Sequence, residues 1–266
     1  MLCAGANKLM AAYRTFPSLF LSFSHHPTKC QLAHNNRRSG KKSNKRRRRL
    51  NRKPKSGAVT SSLRLQRTTN NGEAFDTIQR DEEFVKLANF ISDSFEKCAP
   101  DCHAHYRMCT SAIETRYNHL QRPFPSSVYP TVTINFGRKT VCLPHRDHAN
   151  LPYGLCGITA LGDFDADKGG HLVLWELKLI IRFPPGSTIL IPSSIVTHSN
   201  IAVSQSEDRF SFTQYAAGDL FRWVENGFQT HAGLFGTEKP KTSAVSAHYR
   251  NLDYRSEGMK MLKSYC

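Results

Sequence analysis

At 266 residues and a net charge of +16, the chain is long enough for one ordinary domain plus an arm, and no apolar run approaches the ~20 residues that a membrane-spanning helix needs. The charge is lopsided: no Asp or Glu precedes Glu73, residues 1–72 hold 17 of the 37 Lys and Arg, and the rest carries 20 basic and 21 acidic side chains. The sequence pI of about 9.7 therefore describes the arm alone, while eight irregularly spaced cysteines argue against a disulfide scaffold and for a reduced, intracellular chain.

Residues 1–72 are rich in Lys, Arg, Ser and Asn, lack apolar periodicity, and are expected to be a disordered tail ahead of a domain over 73–266. Within them Lys41, Lys42, Lys45 to Arg49, Arg52, Lys53 and Lys55 form a block that reads as a nuclear localisation signal or a nucleic-acid-binding arm. A solvated charged linker is the plainer reading, and the acid-free stretch before Arg38 leaves a mitochondrial transit peptide as the rival to the nucleus.

Over residues 75–95, Phe84, Leu87, Ala88, Ile91 and Phe95 recur at three- and four-residue spacing, which predicts an amphipathic helix covering one face of a sheet and stopped by Pro100. Cys98, Cys102, His105 and Cys109, with His103 beside them, are close enough to suggest zinc. Structural zinc sites, however, draw ligand pairs from separate loops, so packing cysteines near a helix end is the preferred reading.

Short strands are expected over 128–137, 140–144, 155–161, 171–177, 179–183, 187–191, 197–203 and 210–215, separated by Gly, Pro and Asp. The pattern predicts a mainly β protein with flanking helices, its core a double-stranded β-helix of jelly-roll type. Asp163, Asp165 and Asp167 have the spacing of a calcium loop, but Lys168 and Leu174 stand where that loop needs Gly and Glu, so the segment reads as a turn. Residues 252–265 read as a short helix without chemical signal.

The chemistry concentrates in the run from Val141 to Asn150. In an extended chain the imidazole of His145 and the carboxylate of Asp147, two residues apart, project from one face and can converge on one ion. A third ligand is supplied best by His198, 51 residues beyond Asp147 at the end of a β-branched stretch, since two histidines and one carboxylate leave coordination positions open on a non-haem iron. Arg209, eleven residues further on, opens an alternating strand and could grip a carboxylate with both arms of its guanidinium. Taken singly, each of these four reads equally well as a satisfied structural polar group; their order and spacing favour the metal. His148 falls on the opposite strand face from Asp147 and is not expected to be a ligand.

That order of His-x-Asp, His and Arg resembles the Fe(II)- and 2-oxoglutarate-dependent dioxygenases. More narrowly, His145-Arg146-Asp147-x-x-Asn150, His171-Leu172-Val173-Leu174 and Arg209-x-Ser211-x-x-x-Tyr215 resemble the TET/JBP branch, which oxidises methylated pyrimidines in nucleic acid, and its fungal transposon-associated members. The likeness spans about residues 131–222. It implies Fe(II) on His145, Asp147 and His198, 2-oxoglutarate on Arg209, Ser211 and His171, and a flipped base against Asn150 and Tyr215. It implies hydroxylation of a substrate methyl coupled to decarboxylation of 2-oxoglutarate with O2, on a 5-methylcytosine-like base, with DNA favoured as the partner.

Two residues depart from the branch's pattern: Ala149 replaces a histidine before the Asn, and Ala217 stands where a base-contacting histidine is expected. For the secondary residues the plain alternatives remain open: a turn-forming Asn150, a core-filling Tyr215 and a hydrogen-bonding His171. A protein or small-molecule hydroxylase on the same scaffold, and a nucleic-acid-binding module without turnover, are the competing functions. The sequence specifies no oligomeric state.

Overall fold

The computed structural model describes residues 69–135, 137–229, 233–234 and 260–261; the basic block and most of residues 252–265 lie outside them. Helix α1 (Thr69–Arg80) opens inside the stretch assigned to the tail, and α2 (Glu82–Cys98) follows after a break at Asp81. The periodic residues Phe84, Leu87, Ala88, Ile91 and Phe95 all fall on α2 as expected, while residues 75–80 of the predicted span belong to α1. The reason is local: the Asp81 carboxylate accepts from the N–H groups of Glu83 at 2.9 Å and Phe84 at 3.4 Å, capping a new helix start.

Pro100 does not merely end α2. It occupies the first turn of a third helix, α3 (Pro100–Arg116), where its missing N–H costs nothing. Cys102 and Cys109 are buried on α3 while Cys98 is exposed, and the Cys102 thiol donates to the Tyr153 carbonyl at 3.4 Å. Among the described residues these cysteines and His105 do not gather into a metal-binding group.

Among the described residues seven strands follow: β1 (Thr131–Asn135), β2 (Cys156–Asp163), β3 (Leu172–Leu174), β4 (Leu179–Ile181), β5 (Thr188–Ile191), β6 (His198–Asn200) and β7 (Asp208–Tyr215), then α4 (Gly218–Glu225). They form a four-stranded sheet in the order β1-β7-β2-β5 and a three-stranded sheet in the order β4-β3-β6, every pair antiparallel. This is the expected double-stranded β-helix.

The predicted strand over 140–144 is replaced by an irregular extended segment lying beside β6. His145 and His198 exchange both backbone hydrogen bonds, at 3.1 and 3.0 Å, and Asn200 N–H donates to Cys142 O at 3.2 Å. The ladder is interrupted because Cys142 N–H turns to the Asn200 side chain at 2.7 Å, and Pro144 has no N–H to offer.

Each face of the larger sheet has its own core. On the outer face Val132, Ile134, Leu161, Phe210 and Phe212 pack under Phe84, Leu87, Ile91 and Phe95 of α2, with Tyr106 and Ile113 of α3 in the same cluster. Phe84 meets Phe212 with ring centroids 5.9 Å apart, and Phe95 lies edge-on to Tyr106 at 5.0 Å. Burying such side chains contributes about 1.5–3 kcal/mol each, and the sheet becomes a rigid floor. On the inner face Ala160, Ile158, Ile189 and Ile191 meet Leu172, Leu174 and Phe183, closing the two sheets face to face. The odd-numbered residues of β7, Arg209 to Tyr215, alternate with the helix-packed Phe210 and Phe212 and so point between the sheets.

Candidate metal centre

Backbone pairing of the 142–145 segment with β6 sets His145 against His198, their ring centroids 4.3 Å apart. Asp147 N–H donates to Ser193 O at 2.9 Å, holding the next turn of chain against the end of β5. The Asp147 carboxylate then stands between the imidazoles: Oδ1 lies 3.7 Å from His145 Nε2, and Oδ2 lies 4.0 Å from His198 Nε2. All three donors fall within 4.8 Å of one another, and no other such group of His, Cys, Asp or Glu occurs among the described residues. His148 is exposed and stands outside the group.

The donor set fits a transition-metal ion. Donors held about 2.0–2.2 Å from one ion in tetrahedral or facial octahedral geometry lie about 3.0–3.6 Å apart, so the separations of 3.7 and 4.0 Å close onto an ion with a contraction of less than about 1 Å, within reach of side-chain rotation. Each histidine is also fixed in the ligating tautomer. His145 Nδ1 faces Leu143 O at 2.7 Å and His198 Nδ1 faces Val196 O at 3.0 Å; a carbonyl can only accept, so each Nδ1 carries the proton and each Nε2 keeps its lone pair. Burial pushes the His198 imidazolium below its ordinary range and keeps the ring neutral, the form a metal binds.

Asn150 belongs to this arrangement. Its Nδ2 donates to Asp147 Oδ2 at 3.3 Å and to Ser193 Oγ at 3.0 Å, so the amide braces the carboxylate from behind. Asn150 also bridges to Ala217, and Gly218 N–H donates to Ala149 O at 2.8 Å. The two alanines that depart from the TET/JBP pattern are therefore neighbours on one wall.

Arg209 is 3% exposed and reaches inward from the first turn of β7. Its Nη1 donates to Thr140 O at 3.1 Å, a carbonyl that also accepts from Asn200 Nδ2 at 3.1 Å. Asn200 lies two residues along β6 from His198, about 7 Å of strand. The guanidinium is thus tied to the strand that carries the third histidine. Its partner in register, Gly162, has φ +120°, and a Cβ there would meet the Asp208 carbonyl at 2.2 Å.

Further along the same face, Ser211 Oγ accepts from Asn135 Nδ2 at 2.8 Å, and the Tyr215 hydroxyl meets Thr133 Oγ1 at 3.2 Å. Burial raises the Tyr215 phenol above its ordinary range, so the hydroxyl stays neutral. His171 stands apart. It precedes β3 by one residue and continues the face of Val173, opposite Leu172 and Leu174, which turn inward with His198. Its Nδ1 is buried without a hydrogen-bond partner among the described residues.

Asn135, Thr140, Ser193 and Asn200 complete the site without any sequence signal. Each acts through a backbone carbonyl or a short polar side chain whose relevance depends on strand register.

No family model matches the chain, and no curated protein does. Among solved structures it is similar to NgTET1 in complex with 5mC DNA, at a TM-score of 0.31 and 13% identity over 48% of this chain and 45% of that one. It is also similar to the viral collagen prolyl hydroxylase of Paramecium bursaria Chlorella virus-1 in its 2OG complex, at a TM-score of 0.25 and 15% identity over 31% of this chain and 54% of that one. The chain thus aligns with about half the length of each. The class rests on what the molecule itself displays: a double-stranded β-helix carrying a His-Asp-His donor set between its sheets.

Proposed function

We propose that the chain is an Fe(II)/2-oxoglutarate-dependent dioxygenase that hydroxylates the methyl group of a methylated base in nucleic acid. The observation that carries the reading is the convergence of His145, Asp147 and His198 at one point of the inner face, with buried Arg209 tied to the same strand. Two imidazoles and one carboxylate hold an iron by one side and leave its other positions for substrates. When bound, the iron and 2-oxoglutarate supply the oxidising chemistry: the cosubstrate is decarboxylated to succinate as a C–H bond of the substrate is hydroxylated.

The protein's own part is placement. Arg209 offers a charged fork for the distal carboxylate, with Ser211 beside it on the same strand face. Ile158, Ile189 and Ile191 line the inner cluster and keep water from the cosubstrate end. A base in a duplex must leave the stack to reach the ion, and Tyr215 supplies an aromatic face that offsets part of that unstacking, about 1–3 kcal/mol. Asn150 is assigned to the same wall, with its brace on Asp147 as its first duty. His171 is left out of the cosubstrate set because its strand face is the outer one.

The basic stretch before residue 56 is assigned the sequence-independent phosphate contacts and a nuclear address, with the oxygenase unit following it. A hydroxylase of a protein or small molecule is favoured by one observation: three arginines beside the sheets are already paired with carboxylates, Arg138 with Asp208, Arg146 with Glu176 and Arg182 with Asp167. Incubating the purified protein with Fe(II), 2-oxoglutarate and methylated DNA, then measuring nucleosides by mass spectrometry, separates the two. Hydroxymethylated base is the expected product. Succinate release with unchanged base would transfer the assignment to the second reading.

A further inference from the structure

His145 and Asp147 flank Arg146 in the chain, and His198 follows Thr197. All three donors are therefore one residue away from two side chains that turn to the other face. Those two side chains meet on a third, Glu176, in the turn between β3 and β4. Arg146 Nη2 donates to Glu176 Oε1, and Arg146 Nε donates to Thr197 Oγ1 at 2.9 Å. The Thr197 hydroxyl donates to Glu176 Oε1 at 2.5 Å, and the Thr197 backbone N–H donates to Oε2 at 2.7 Å. Both carboxylate oxygens are thus engaged. The turn itself is anchored, since Trp175 N–H donates to Thr197 O at 2.9 Å and its indole N–H to Ser199 Oγ at 3.0 Å.

We propose that Glu176 is a positioning residue for the metal centre: its carboxylate clasps the two ligand-bearing segments together and so sets the distance between the His145–Asp147 pair and His198. The inference rests on the metal reading above. Chain connectivity does not hold these segments together, because 51 residues separate Arg146 from Thr197. The paired backbone hydrogen bonds between His145 and His198, those of Cys142 with Asn200 and that of Asp147 with Ser193 fix the backbone register, but none of them joins the side chains that flank the ligands. The clasp adds a side-chain tie between the two residues that neighbour the ligands, Arg146 and Thr197, on the opposite face. The Thr197 hydroxyl and then Arg146 press the Glu176 carboxyl down to about 2, so the clasp is ionised at neutral pH. An exposed ion pair contributes little to folding stability. The effect belongs instead to ligand geometry, as with other groups that orient metal ligands from behind.

The test is an anaerobic Co(II) titration of the full chain, followed by visible absorption, for the wild type, E176Q, T197V and T197S. The clasp predicts that E176Q and T197V weaken Co(II) binding about 10- to 100-fold and alter the absorption band, with T197S restoring most of the loss. Thermal midpoints of all variants should stay within a few degrees of the wild type. D167N serves as the control: it breaks the comparable exposed pair with Arg182 and should bind Co(II) as the wild type does. Should E176Q fail to fold, T197V and T197S carry the comparison alone. Wild-type affinity and spectrum in the Thr197 and Glu176 variants overturn the clasp and leave the metal site standing. A wild type that takes up no Co(II) overturns both.

Discussion

The Asp147 carboxylate stands 4.0 Å from the Nε2 of His198, although 51 residues of chain separate the two. The relationship is made by strand pairing and not by any local turn: Asp147 is held to Ser193, and His198 to His145, each by backbone hydrogen bonds. Substituting a donor therefore removes metal binding without removing the frame. H145A and D147N are expected to fold, with far-UV circular dichroism like that of the wild type, and to lose Co(II) or Fe(II) uptake by more than about 100-fold, which equilibrium dialysis measures.

Arg209 is the second half of the site, and its shape matters as well as its charge. R209K keeps a cation but loses the planar fork, so 2-oxoglutarate binding should weaken by about 10- to 150-fold, the equivalent of about 1.5–3 kcal/mol for one charge-assisted contact. Tryptophan fluorescence or calorimetric titration with 2-oxoglutarate in the presence of Mn(II) checks this. Unchanged affinity would place the distal carboxylate elsewhere.

Much of this was readable before any coordinates. The two-residue spacing of His145 and Asp147 forecast a shared face, and β-branched runs with intervening turns forecast the paired sheets. Helix boundaries were less legible, because Asp81 and Pro100 are ambiguous marks: each can end one helix or begin another, and here each begins one. The register of the 140–147 segment was hidden for a different reason. It depends on one Asn200 side chain replacing a backbone partner, a substitution no periodicity reports. Glu176 and Ser193 escaped notice because they act on the ligands' neighbours from distant turns.

The floor under the site is tightly fitted, and Gly157 shows where. A Cβ at this position of β2 would come within 2.2 Å of Ile91 Cγ2 on α2, a branched side chain with no exposure and no room to retreat. G157A is expected to destabilise the fold by about 1–3 kcal/mol through overpacking. Urea denaturation measures the change; because I91A removes the clashing Cγ2, G157A should cost less in an I91A background than in the wild type.

Acid should weaken the fold through its buried histidines. His198 and His103 both have their imidazolium forms disfavoured, chiefly by burial, so unfolding releases rings that bind protons more readily than they do in the native state. The unfolded state then holds more protons below the ordinary value of 6.5, and the metal-free protein loses stability as pH falls through 6.5 toward the lowered native values. Thermal melts at pH 7.5, 6.5 and 5.5 should show a falling midpoint, and H103Q should flatten that slope.

Metal stoichiometry measured side by side with D147N tests the central claim most directly. Anaerobic calorimetric titration of the wild type with Fe(II) should give one site per chain, and the same titration of D147N should give no measurable uptake at micromolar protein. Binding of equal affinity and stoichiometry in both proteins, or no binding in the wild type, would contradict the account.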